Sequence, residues 1–150
     1  MRTALLATFL FMTVSGWAAE PNCPATLAAE ETLKQSPAGW TQGRSDIPRR
    51  LSGITIFEGD PKDLASLIGE QRKTSKNTMV STWQFAPRTQ YWISCTYSGT
   101  RIVLSRPIPP NYRAVVITYD MNVSIDGAPE IKKTEWRTTE QANRTPANPK

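Results

Sequence analysis

The sequence predicts a mainly β (α+β) fold, an antiparallel meander sheet or small barrel of about five to seven strands with one short helix. Three observations carry this prediction. Apolar and polar residues alternate with period two through 79–85, 91–97 and 113–119. Short turn signals separate these runs, at Pro87-Arg88-Thr89, Ser98-Gly99 and Asp126-Gly127. Only one segment, from Asp60 to Gly69, carries full helix punctuation.

The chain opens on a three-part export pattern. Arg2 supplies a positive start, Ala4 to Val14 form an uncharged apolar run, and Ser15-Gly16 break it ahead of small residues. Gly16-Trp17-Ala18 fits a cleavage site, with Ala19 as a competing last residue. The alternative is an N-terminal core helix or anchor, but the run is about half of the roughly 20 residues a spanning helix needs. A lipid-bearing cysteine is disfavoured because Cys23 follows the polar Glu20-Pro21-Asn22. The predicted organisation is therefore a signal peptide over 1–18, a single β-rich domain over 19–137 and a disordered tail over 138–150. The tail is polar and holds two prolines.

Within the domain, 24–36 reads as helix or strand with neither favoured. Residues 36–50 read as an irregular connection anchored to the core by Trp40. Ile54-Thr55-Ile56-Phe57 is a strand signal. Asp60 then suits a cap, Pro61 the first helical position and Asp63 a capping-box acid. Leu64, Leu67 and Ile68 would form one apolar face, ended by Gly69, so a helix is predicted over Pro61 to Ile68. After an exposed loop at 70–77, Met79, Ser81, Trp83 and Phe85 share one face of a strand. In the next strand Tyr91, Ile93, Cys95 and Tyr97 share a face, with Trp92, Ser94 and Thr96 opposite. Ile102 to Leu104 continue the sheet until Pro107, Pro109 and Pro110 form a stiff loop. Val115, Ile117 and Tyr119 mark the last strong strand, and a weaker one is predicted around Ile131 to Trp136.

Composition narrows the function classes. Removing 1–18 leaves about 130 residues, enough for one modest core. The formal charge is +5 for the whole chain. The cations are scattered, at Arg49-Arg50, Arg72-Lys73-Lys76 and Lys132-Lys133, with acids between them. They form solvated faces or, alternatively, a patch for an acidic partner or an anionic envelope surface. Export and the lack of a basic-aromatic motif argue against nucleic acid. Two cysteines in an oxidising compartment usually pair, so Cys23 and Cys95 are predicted to form a structural disulfide. The chain has no histidine, which removes the usual general base and metal ligand. Glu58, Asp60 and Asp63 are close in sequence, but helix capping accounts for two of them. No Gly-rich phosphate loop is present. The chain is therefore read as a non-enzyme without metal or cofactor.

A wider set of residues carries a family resemblance. Cys23-Pro24-Ala25 stands early in the chain. Gly39-Trp40 and Phe57-Glu58-Gly59-Asp60-Pro61 follow, and Trp92-Ile93-Ser94-Cys95-Thr96-Tyr97 precedes Leu104-Ser105-Arg106-Pro107-Ile108-Pro109. This pattern resembles a family of small uncharacterised secreted proteins of Gram-negative bacteria with an early Cys-Pro-Ala, a Trp-x-x-Cys-x-Tyr and a Leu-x-Arg-Pro-Leu-Pro stretch. The resemblance covers nearly the whole predicted mature chain and implies a periplasmic location and no enzymatic activity. Family members often carry a further cysteine near the position of Arg113 or Ala114, which this chain lacks.

The aromatic strand from Tyr91 to Tyr97 holds the candidate site. Either both of its faces are core, or Trp92 with Arg101 and Arg106 forms an exposed partner-binding patch, since Trp and Arg are enriched at interaction hot spots. Two functions fit a small exported β-rich monomer. The first is a protein-binding module of inhibitor or immunity type, with another periplasmic or envelope protein as its partner. The second is an envelope accessory domain that binds a small ligand, lipid or glycan. The first is favoured.

Overall fold

The computed structural model describes residues 19–43 and 46–142. The predicted signal peptide, 1–18, and residues 143–150 of the predicted tail lie outside the described residues. Among the described residues nine strands are formed: β1 (Thr26–Leu27), β2 (Arg49–Glu58), β3 (Ser66–Leu67), β4 (Glu70–Ser75), β5 (Thr78–Gln84), β6 (Tyr91–Tyr97), β7 (Val103–Pro107), β8 (Tyr112–Ile125) and β9 (Ala128–Thr138). A short α-helix, α1 (Thr139–Ala142), follows β9 within the predicted tail.

The strands form two antiparallel sheets, not a closed barrel. One runs β1-β2-β6-β7, with β3 also pairing with β2; the other runs β4-β5-β8-β9. One core lies between them. The first sheet contributes Ile56, Tyr91, Ile93, Cys95 and Tyr97, and the second contributes Trp83, Tyr112, Val115, Ile117 and Trp136. Period-two alternation produces this directly, because residues two apart on a strand share a face. Tyr112 and Val115 differ in parity, yet both are buried. A register shift between Tyr112 and Ala114 reconciles them by placing an extra residue, Arg113, in β8.

Cys23 and Cys95 are joined by a disulfide with their Cα atoms 5.8 Å apart. The bond ties the chain ahead of β1 to the buried face of β6. Asn22 adds a second tie by accepting a 2.8 Å hydrogen bond from the Trp136 indole N–H in the other sheet.

The exposed loop expected at 70–77 is instead strand β4, Glu70–Ser75, paired with β5 and exposed along its length. Two further expectations are corrected here. The helix over Pro61 to Ile68 does not form. Asp60 caps as expected, accepting the Lys62 N–H at 2.9 Å, and Pro61 starts the turn. The turn is a 3-10 helix of three residues, however, and Leu64 closes it in the left-handed region at φ 57°. Eight residues are too few for a helix to persist on propensity alone, and β2 offers an unpaired edge. Ser66 and Leu67 take that edge, pairing with Phe57 and Ile56. Strand alternation then sends Leu67 alone to the core, leaving Leu64 80% and Ile68 95% exposed. Gly69, expected just past a helix end, is instead buried against Trp83, where an added Cβ would lie 2.6 Å from the ring.

Trp40 is the second correction. It is 76% exposed and anchors nothing. Residues 24–36, ambiguous in sequence, are irregular apart from β1.

Candidate functional site

Strand β6 is central in its sheet, with β2 on one side and β7 on the other. Its inner face is core. Its outer face carries Trp92, Ser94 and Thr96, and the register sets three rows across it. Phe57, Trp92 and Pro107 form the first, Thr55, Ser94 and Ser105 the second, and Gly53, Thr96 and Val103 the third. Directly paired residues stand on the same face, with Cβ atoms about 4.5–5.5 Å apart. The second and third rows are small. Ser94 and Ser105 share a 2.7 Å hydroxyl hydrogen bond. A Cβ at Gly53 would meet the Thr96 hydroxyl at 2.7 Å, so glycine leaves room for that side chain. The first row is therefore an aromatic ridge beside a floor of smaller side chains, polar except at Gly53 and Val103.

Trp92 and Phe57 are half-buried and stand outside the core cluster. The row continues across β3 to Ser66, which pairs with Phe57. Leu64 and Ile68 stand two residues either side of Ser66 and are strongly exposed. The misread helix segment thus supplies apolar surface beside the Trp92 row. The sequence signal that could have found this was the choice between period 3.6 and period 2 over residues 64–68, and so short a run does not settle it.

The three candidate binding residues do not form one patch. Arg106 pairs with Ile93, so it leaves β7 on the side opposite Trp92; it is exposed because β7 is the last strand of its sheet. Arg101 lies in the turn beyond the other end of β6. There it lines an open groove of about 1220 Å³ with Glu31, Arg49, Thr100 and Asp126. The Thr100 hydroxyl donates to Glu31. That bond, then the Arg101 backbone N–H and the charges of Arg49 and Arg101, hold the Glu31 carboxyl below its ordinary range. The Gly99 N–H donates to Asp126 at 2.9 Å, pinning this turn to the β8–β9 hairpin. Nearby, the Arg49 Nε and the Tyr97 hydroxyl are buried without a hydrogen-bond partner among the described residues. Burial raises the pKa of Tyr97.

A smaller cavity of about 210 Å³ opens at the opposite end, between the turn at 86–90 and the proline loop at 108–110. Arg88 and Arg113 stand at it beside Tyr91 and Tyr112. Arg113 is held there by donating to the carbonyl of Pro110 at 2.7 Å. Glu58, Asp60 and Asp63 do not converge on a common point with metal-binding geometry, and no group of three His, Cys, Asp or Glu side chains does so among the described residues. No described helix is long and apolar enough to cross a membrane.

Comparison with known proteins adds a family. The model of the family described as Type VI secretion system Tli immunity protein matches residues 44–140. That stretch runs from β2 through β9 and so includes every strand of the outer face around Trp92. An Azospirillum brasilense protein, described as an uncharacterised 16.3 kDa protein in the trpG 5' region, is 27% identical over 128 residues, covering 79% of this chain and 85% of its own. No solved structure matches.

Proposed function

The chain belongs to the Type VI secretion system Tli immunity protein family, and from that premise we propose that it protects its cell by binding a type VI effector protein and blocking it stoichiometrically. The family match over residues 44–140 carries this reading. The chemistry of the chain supports it: histidine is absent from the whole sequence, and the exposed apolar side chains near the Trp92 row suit a protein partner. The binding surface in this reading is the outer face of β2, β6 and β7, with Trp92 at its centre and Phe57 and Pro107 beside it.

Protection under co-expression tests the role of that face. Cells producing the effector in the periplasm should survive with the wild-type chain and die with Trp92→Ala present at equal abundance. Truncation of a hot-spot side chain costs about 2 kcal/mol or more, roughly thirtyfold in affinity. Full protection by Trp92→Ala would remove Trp92 from the interface.

Export to the periplasm completes the proposal. It rests on the pattern of residues 1–18 and on the disulfide, which persists in an oxidising compartment. The intact mass of chain recovered from the periplasm should correspond to a protein beginning at Ala19 or Glu20. A mass that still includes Met1 would count against it.

A further inference from the structure

We propose that β7 is the docking edge of this protein and that an extended segment of the effector, carrying an acidic side chain, adds to the sheet as a new strand beside it. The inference rests on the immunity reading and deepens it by naming the mode of recognition.

β7 has β6 on one side and no strand on the other among the described residues. The ladder shows which of its backbone groups are free. Ile108 N–H donates to the Tyr91 carbonyl at 2.8 Å. Hydrogen-bonded and non-bonded pairs alternate along an antiparallel ladder. Ile93 with Arg106 and Cys95 with Leu104 are therefore bonded pairs, while Trp92 with Pro107, Ser94 with Ser105 and Thr96 with Val103 are not. Two features agree with this phase. Pro107, which has no N–H to give, falls in a non-bonded position, and the Ser94 and Ser105 hydroxyls meet at 2.7 Å, as expected where side chains approach most closely. The N–H groups of Val103 and Ser105 consequently point outward, away from β6.

Proteins usually guard such an edge with charge, proline or a covering element. The free edge at β4 is guarded by Glu70, Arg72 and Lys73, all exposed. β7 has one charge, Arg106, and a proline only at its last residue, Pro107, so the outward N–H groups of Val103 and Ser105 stay available, and Val103 is 49% exposed. Arg106 joins no ion pair among the described residues. That cation, on a chain of formal charge +5, favours an acidic strand and opposes self-pairing, which would bring the Arg106 side chains of two copies onto neighbouring strands. Strand addition supplies affinity through the main chain and selectivity through side chains. Here the incoming strand would extend the outer face beyond Pro107, in line with the Trp92 row.

Amide hydrogen exchange on the full chain, free and in complex with its effector, reads this directly. In the free chain the Val103 and Ser105 amides should exchange quickly while Leu104 and Arg106 are protected; in the complex Val103 and Ser105 should become protected. Ser105→Pro, which removes one outward N–H without touching the β6 ladder, should weaken binding at least tenfold. Ser105→Ala, which removes the hydroxyl and keeps the N–H, should weaken binding several-fold less than Ser105→Pro, and equal losses for the two variants would overturn the edge. Unchanged exchange at 103 and 105 in a formed complex would overturn the edge and leave the immunity reading standing. Protection of these amides by raising the concentration of the chain alone would assign the edge to a second copy and overturn the proposal. Failure of the wild-type chain to bind the effector at all would remove the immunity reading itself.

Discussion

Trp136→Ala should lower the stability of the folded chain by about 3–5 kcal/mol, the range for truncating a large aromatic in a packed core. Trp136 is 5% exposed. Its ring lies 5.3 Å from that of Tyr112 and 6.4 Å from that of Phe85, centroid to centroid. Truncation empties the space between these rings and leaves Asn22 Oδ1 without its indole donor. Urea unfolding, followed by a probe other than the lost indole, should show the midpoint falling with little change in slope. Trp136→Phe separates the two contributions. It keeps much of the packing and loses the hydrogen bond, worth about 1 kcal/mol. A loss below about 1 kcal/mol for Trp136→Ala would mean that this end of the core is not packed as described.

Loss of the disulfide should have an effect of similar size by a different route. The bond closes a separation of 72 residues, for which the chain-entropy model gives about 4 kcal/mol of stabilisation through the unfolded state. Guanidinium unfolding of the wild-type chain with and without reductant should differ by about that amount, and the difference should vanish in Cys23→Ala. Because Cys95 lies on the core face of β6 and Cys23 packs against the core cluster from outside, Cys95→Ala should cost somewhat more than Cys23→Ala. Reductant-insensitive unfolding of the wild-type chain would contradict the pairing.

The strands were legible wherever alternation ran long enough to set a face. Tyr91, Ile93, Cys95 and Tyr97 on β6, and Val115 and Ile117 on β8, fall on one side in sequence and are buried in the fold. The even cysteine count pointed to the pair that forms. The helix at 61–68 was misread because its cap and proline are genuine local signals, fulfilled by a single 3-10 turn, while the decision between helix and strand belonged to the unpaired edge of β2, where Ile56 and Phe57 pair with Leu67 and Ser66. Trp40 was misread because a lone aromatic between polar residues carries no period. Whether Trp92 faced core or solvent depended on what covers the sheet, which one strand's pattern does not contain. The separation of Arg106 from Trp92 was legible in part, since residues on β7 alternate faces; its pairing with Ile93 required the register.

The proposed function is that this chain acts by holding an effector protein. Calorimetric titration of the purified chain with a type VI effector protein tests it. A one-to-one complex should form without added metal or cofactor and be weakened roughly thirtyfold or more by Trp92→Ala, while the variant's thermal melt shows that it remains folded. Absence of heat and of any complex with the wild-type chain, or turnover of an envelope substrate by the chain alone, would contradict it.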